Sequence, residues 1–249
     1  MKKLVVWGGE GVNVNYVVNA LRSSTLIVEI FIEQRQSRLD LLRRRFRRMS
    51  LLRFIDVLMF QSFLSPLLSI IFRSRKTSLT KRLSLDPSRN WNYHSVANIN
   101  TIDVSKINQV DCDYILIIGT RIVSKSLLNS IRHPIINLHL GITPLYRGVH
   151  GGYWSVLEGK EEFCGVTLHH VDSGIDTGGI IGQDLIQLDS LDNYVTYPVK
   201  QLVQGIKLIE SYLEGNKMMK IIQDESLSSA LKYHPGLTQY VKGALRGRY

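Results

Sequence analysis

Three side chains in the second half of the sequence carry the chemistry of a group-transfer centre. Asn137 and His139 stand two residues apart in Ile135-Ile136-Asn137-Leu138-His139, and Asp176 closes the polar run Asp172-Ser173-Gly174-Ile175-Asp176. An imidazole near neutral pKa passes protons, a carboxylate beside it orients the ring and favours its cation, and an amide N–H stabilises an oxyanion. No serine or cysteine nucleophile sits beside them in a recognisable motif. The set therefore suits direct attack by a substrate amine on an activated acyl donor, without a covalent enzyme intermediate. Spacing alone leaves a structural alternative open, in which the Asn-x-His pair is only part of a strand and the Asp-rich loop only a solvated turn.

Positioning these groups requires strand ends. Ile135 to His139 reads as a strand, on which residues two apart point the same way. Tyr114 to Ile118 is a continuous apolar run, read as a buried parallel strand ending in Gly119-Thr120, and Gly165 to His170 reads as another strand. Helices are predicted over Ser124 to Ile131, Val149 to Glu158 and Leu191 to Leu213, and Gly178-Gly179-Ile180-Ile181 leads into a further strand. At the start, Leu4 to Trp7, the turn Gly8-Gly9-Glu10-Gly11, the apolar positions Val14, Val17, Val18 and Leu21, and the run Leu26 to Ile32 read as strand, helix, strand. The pattern predicts an α/β fold, a Rossmann-like, mostly parallel sheet flanked by helices, with ligands at the carboxyl ends of the strands.

Charge is distributed unevenly. The net charge of +10 resides in residues 35 to 82, which hold thirteen Lys plus Arg against Asp40 and Asp56, whereas the remainder carries 18 basic and 19 acidic residues. That argues against a protein-wide nucleic-acid surface and for a local patch. Leu39, Leu42, Phe46 and Met49 recur at helical spacing among arginines, so 35–82 is expected to be a basic helical insertion after the second strand. Leu51 to Phe72 is expected to form two helices broken near Pro66, its clean apolar run too short to span a bilayer. Lys76 to Asn92 reads as a polar loop. Two cysteines, Cys112 and Cys164, in apolar stretches suit a reducing compartment, and the N-terminus lacks the apolar core of a secretory signal, so a cytoplasmic protein is expected. Residues 1–215 are read as the catalytic domain, including the insertion. Residues 216–249 are read as a C-terminal tail, loosely held from Gly236 to its basic end at Arg246-Gly247-Arg248.

The stretch Asn137-Leu138-His139-Leu140-Gly141-Ile142-Thr143-Pro144-Leu145-Tyr146-Arg147-Gly148, followed by Gly165-Val166-Thr167-Leu168-His169 and Ile175-Asp176-Thr177-Gly178-Gly179-Ile180, resembles the catalytic domain of the 10-formyltetrahydrofolate-dependent formyltransferases. The similarity is clear over residues 110 to 190. The resemblance implies that Asn137, His139 and Asp176 form the reaction centre. Asn137 and protonated His139 would stabilise the oxyanion, while Asp176 orients His139 and helps move the amine proton. It also implies that 10-formyltetrahydrofolate is the co-substrate, its pteridine against Gly119, Thr120, Arg121, Ile122 and Val123 and against Asp172, Ser173, Gly174 and Ile175, where backbone edges can mimic a base pair.

For the acceptor, Gly8, Gly9, Tyr146, Arg147 and Gly148 are the expected contacts. The purine-pathway relatives bind phosphate at the first glycine turn, where Glu10 here would repel it. The tRNA-modifying relatives carry an additional C-terminal domain, which the short remainder of this chain is expected to lack. The Tyr146-Arg147-Gly148 version of the loop is similar to that of enzymes formylating amino sugars on nucleotide carriers. The expected acceptor is thus a small-molecule amine, first an amino-sugar nucleotide, and not nucleic acid. Arg147 is expected to hold an acceptor phosphate or to brace the loop by a salt bridge. No metal is expected: His169 and His170 on a strand point to opposite faces, and neither they nor His150 have ligand-spaced partners. Peripheral contact of 35–82 with an anionic membrane, and a homodimer, are further expectations. Hydrolysis of 10-formyltetrahydrofolate and a non-catalytic folate-binding module are the alternative functions.

Overall fold

The computed structural model describes residues 1–47, 49–222 and 230–247. Seven strands form one sheet in the order β3-β2-β1-β4-β5-β6-β7. β1 (Lys3–Gly9), β2 (Leu26–Glu33), β3 (His94–Val96), β4 (Tyr114–Ile118) and β5 (Ile135–His139) run parallel; β6 (Gly165–His170) and β7 (Ile180–Leu185) are antiparallel to their neighbours. The central strands are apolar on both sides because both faces are covered. Leu4, Val6, Leu116 and Ile136 pack under α1 (Val12–Leu21) and, through Leu202 and Ile206, under the long helix α9 (Tyr197–Leu213). Val5, Trp7, Ile115 and Ile117 face the other way, toward Ile107 of α6 (Val104–Gln109) and Leu127 of α7 (Lys125–Ser130).

Between β2 and β3 the chain forms the expected helical insertion: α2 (Arg38–Phe46), α3 (Leu51–Met59), a π turn (Phe60–Leu64), α4 (Ser65–Ile71) and α5 (Arg73–Arg82). Ser37 and Ser50 cap α2 and α3 by accepting the amides of Asp40 and Arg53. Three expectations fail here. Leu51–Ile71 is one continuous 21-residue helix, not two helices broken at Pro66. Pro66 falls in the first turn of α4, directly after the π turn, where the widened ladder accommodates the missing N–H. The bend comes instead at Phe72 (φ −93°, ψ 11°). Such a helix is long and apolar enough to cross a membrane, so length does not exclude a span. Lys76 to Arg82, read as loop, lies in α5.

A third core cluster joins this insertion to the body. Phe60 and Leu68 pack with Tyr146, with Tyr153 and Trp154 of α8 (Gly151–Leu157), and with Tyr240 of α10 (Leu237–Ala244). Helix α10 is therefore not loosely held. The Gly236–Gly247 part of the segment contributes α10, whose Tyr240 is buried. Arg248, part of the basic end singled out above, lies outside the described residues.

Candidate active site

The order of the sheet creates the site. β1 lies between β2 and β4, so successive crossovers leave it in opposite directions and open a crevice beyond the carboxyl ends of β1 and β4. The two strand-end turns touch: a Cβ on Gly9 would stand 2.1 Å from the Gly119 carbonyl oxygen, so only glycine fits there. The crevice deepens into a cleft of about 1110 Å³. Its walls include Gly119 to Val123 on one side, Asp172, Gly174 and Ile175 on another, and Asn137, His139, His169 and Asp176 at the end of β5 and β6. Ser173 faces a separate groove beside Pro134 and His170. The Arg121 amide and guanidinium are both committed to the buried Glu33 carboxylate, at 2.7 and 2.9 Å.

Among the expected acceptor contacts, Gly9 and Gly148 line the cleft, whereas Gly8, Tyr146 and Arg147 do not. Gly8 backs onto Val14, and the Tyr146 ring is buried in the third core cluster with its hydroxyl donating to Glu158 at 3.2 Å. The contribution of Tyr146 is its carbonyl, which accepts from His139 Nε2 at 2.7 Å. Sequence gave no signal for this, because the contact depends on how the loop after β5 folds back.

The carbonyl fixes the histidine tautomer. Nε2 must carry a hydrogen, which leaves Nδ1 facing the Asp176 carboxylate at 3.4 Å. Burial lowers the His139 pKa, against opposing pulls from Asp176 and the Tyr146 carbonyl. The ring is thus neutral at rest, and Nδ1 is the atom that takes up a proton. Burial alone would raise the Asp176 carboxyl, but His139, His169 and the Gly148 amide outweigh it and hold its pKa at about 2. Asp176 also adopts the left-handed region, φ 51°, a strained backbone for a non-glycine residue of the sort that persists where neighbours over-determine it.

His169 belongs to this cluster, although residue spacing brought it up only as a metal ligand to be dismissed. It is paired directly opposite Asn137 in the β5–β6 ladder. Its Nδ1 donates to the His170 carbonyl at 2.7 Å, so Nε2 is free of hydrogen and accepts from Asn137 Nδ2 at 3.1 Å. The same ring nitrogen lies 3.6 Å from Asp176, and Asn137 Nδ2 lies 3.5 Å from it. One carboxylate is thereby surrounded by two imidazoles and an amide. His150 and His234 form a further contact on the cleft wall, 3.0 Å apart. Among the described residues no cluster of His, Cys, Asp and Glu is arranged for a metal.

A buried polar network shapes the loop carrying the Tyr146 carbonyl. Thr167 Oγ1 donates to Gly141 O at 2.8 Å and accepts from Thr143 N at 3.1 Å. Gln183 Nε2 donates to Thr143 O at 2.7 Å, and its oxygen accepts the amides of Ile221 and Ile222, each at 2.9 Å. From the other side, Lys232 N donates to Arg147 O at 2.9 Å and Val149 N to Lys232 O at 3.0 Å, while Gly148 N donates to Asp176 at 2.9 Å.

The model of the formyl transferase family matches residues 73–209, more than half of the sequence. The chain belongs to this formyl transferase family. The matched part begins in α5 and leaves out the apolar helix Leu51–Ile71. The chain is 32% identical over 136 residues to a methionyl-tRNA formyltransferase from Thermodesulfovibrio yellowstonii, covering 54% of this chain and 43% of that protein. It is 27% identical over 163 residues to one from Syntrophomonas wolfei, covering 63% and 52%. It thus spans about half the length of the curated relatives it matches. Among solved structures, a sugar N-formyltransferase from a Shewanella species superposes with TM-score 0.54 at 14% identity, over 92% of this chain and 76% of the other. A phosphoribosylglycinamide formyltransferase from Streptococcus pneumoniae does so with TM-score 0.53 at 18% identity, over 86% and 98%. These two likenesses establish a formyltransferase-type fold.

Proposed function

We propose that the protein is a folate-dependent N-formyltransferase that moves the formyl group of 10-formyltetrahydrofolate onto the primary amine of a small phosphorylated acceptor, an amino-sugar nucleotide. The observation that carries this reading is the Asp176 carboxylate held among His139, His169 and Asn137 on the wall of one cleft. The cleft suits the co-substrate: its volume of about 1110 Å³ is large enough for a small-molecule ligand, and Ile117, Ile118, Ile122 and Val171 give it apolar walls.

The chemistry follows from the protonation states. The neutral acceptor amine forms a C–N bond to the formyl carbon while the folate C–N bond breaks. Neutral His139 takes the amine proton at Nδ1 and returns it to the departing folate nitrogen. Asp176, with a pKa of about 2, is too weak a base to carry that proton itself. It stabilises the imidazolium formed 3.4 Å away. Asn137 exchanges its long contact with Asp176 for the developing oxyanion. Neither cysteine competes as a nucleophile: burial pushes the Cys164 thiol up to about 12, and that of Cys112 to about 11.

The acceptor class rests on Glu10, which lines the cleft where a phosphate would otherwise be drawn, on the family resemblance of the Tyr146-Arg147-Gly148 loop, and on the solved neighbour named as a sugar N-formyltransferase. The test is incubation with 10-formyltetrahydrofolate and a panel of amines, following folate products and formylated masses together. Acceptor-dependent turnover on amino-sugar nucleotides is expected. Turnover only on glycinamide ribonucleotide or charged initiator tRNA would overturn the acceptor while leaving formyl transfer standing. Folate turnover with no formylated product would make it a hydrolase, and no turnover at all a binding module.

A further inference from the structure

Between the two arginine-rich ends of the insertion runs a helical face that none of the described residues covers. The inner side of Leu51–Ile71 is fastened to the body: Val57, Phe60 and Leu68 are buried. Asp56 accepts the amide and hydroxyl of Thr238 at 2.8 and 3.0 Å, and Arg53 donates to the His234 carbonyl at 3.3 Å. The outer side presents Leu52, Ile55, Met59, Phe63, Leu67 and Ile70 at helical spacing, with Leu52 81%, Phe63 65% and Ile70 71% exposed. Its sequence contains two ionisable residues, Arg53 and Asp56, and they pair with each other at 3.0 Å on the inner side. The outer face is therefore uncharged along its length. Exposed cations flank it, Arg43 and Arg47 before it and Arg73, Lys81 and Arg82 after it.

We propose that this face docks on an anionic lipid bilayer, lying in the plane of the surface with its apolar side chains at the acyl boundary and the flanking cations on lipid phosphates. An apolar stripe flanked by basic residues is the pattern such surfaces take up. A second copy fits less well, because a two-fold pairing of this face would bring two segments of thirteen basic and two acidic residues each against one another. A spanning orientation fits less well again. It would strip Val57, Phe60 and Leu68 from the core and carry Arg53 and Asp56 into hydrocarbon.

The experiment is co-sedimentation of the full chain with vesicles of phosphatidylcholine alone, or of phosphatidylcholine mixed with phosphatidylglycerol. Partitioning at least about tenfold higher onto the anionic vesicles is expected, weakening as salt is raised from ~0.1 to ~0.5 M. Phe63→Glu and Ile70→Glu should each lower partitioning by on the order of tenfold while leaving the melting temperature in place, since both side chains are already in water. Formyl transfer to a soluble amine should be unchanged in both, so failure here is separable from failure of the catalytic reading. Three results would overturn the proposal: no preference of the unaltered chain for anionic vesicles, face variants that bind as the unaltered chain does, or a concentration-dependent dimer abolished by Phe63→Glu in the absence of vesicle binding.

Discussion

Asp176 combines a left-handed backbone, a depressed pKa and four polar neighbours, His139, His169, Asn137 and the Gly148 amide, and each makes its replacement informative. Asp176→Asn keeps the shape but removes the charge that stabilises the His139 cation, so turnover should fall by about 10²-fold or more with little change in folate affinity. His139→Ala should lose a similar amount by deleting the proton carrier, and full activity in either variant would contradict the assigned roles. His169→Ala is expected to act through Asn137, lowering kcat while leaving the acceptor KM near its original value, because it frees the amide that His169 holds at 3.1 Å. Gly141→Ala is a subtler probe. Its Cβ would sit 2.6 Å from the Tyr146 carbonyl and 2.7 Å from His139 Nε2, wedging apart the bond that fixes the tautomer. Activity should drop while folate binding, measured by fluorescence titration, persists; wild-type turnover would mean that the Tyr146 carbonyl does not set the histidine.

At the scale of elements, the proposed centre depends on the antiparallel pairing of β5 with β6 and on Gln183 of β7, which ties the loop after β5 to the segment after α9. Gln183→Leu would strand the amides of Ile221 and Ile222 and the Thr143 carbonyl in the interior, costing about 3 kcal/mol. A lowered denaturant midpoint with an unchanged slope would show it, and an unshifted midpoint would mean that water replaces the side chain. β4 was legible in the sequence as an uninterrupted apolar run, Tyr114 to Ile118, stopped by Gly119, and β5 and β6 as shorter apolar stretches carrying the polar residues of the motif. β3, at three residues, and α6 and α10, at six and eight, bury too few side chains to imprint a period. The contribution of His169 was hidden for another reason: cross-strand register brings it opposite Asn137, and register is not written locally. Pro66 misled because a π turn upstream absorbs the defect that proline introduces. Tyr146 and Arg147 carried the family motif, yet the loop turns both away from the cleft and leaves the backbone to serve the site.

Across the whole molecule, the insertion, the cleft and the C-terminal segment meet at one half-buried aromatic and imidazole cluster. Phe60 of the π turn packs edge-on against Tyr194 at 5.2 Å, Tyr194 meets His150 Nε2 at 3.1 Å, and His150 meets His234 at 3.0 Å. Desolvation lowers His150 from 6.5 to about 4 and His234 from 6.5 to about 3, the latter helped by His150 and Arg45. Both folded-state values lie below the unfolded one, so the unfolded chain binds more protons between them and stability falls as pH falls. The loss begins below pH 6.5 and is complete for His150 near 4 and for His234 near 3. Buried His139 acts in the same direction. Asp176, lowered from 3.8 to about 2, also stabilises the fold at neutral pH, but its contribution is surrendered only below 3.8. Acid unfolding should therefore start in the imidazole range, well before carboxylates titrate. The melting temperature is expected to decline steadily from pH ~7 to ~4.5, and a His150→Asn, His234→Gln double variant to decline less over the same interval because it has fewer rings to charge. Parallel curves for the two proteins would show that the cluster does not couple protonation to unfolding. In that case the insertion and the C-terminal segment would be held by the apolar contacts of Phe60, Leu68 and Tyr240 and by the hydrogen bonds of Asp56 and Arg53 to Thr238 and His234.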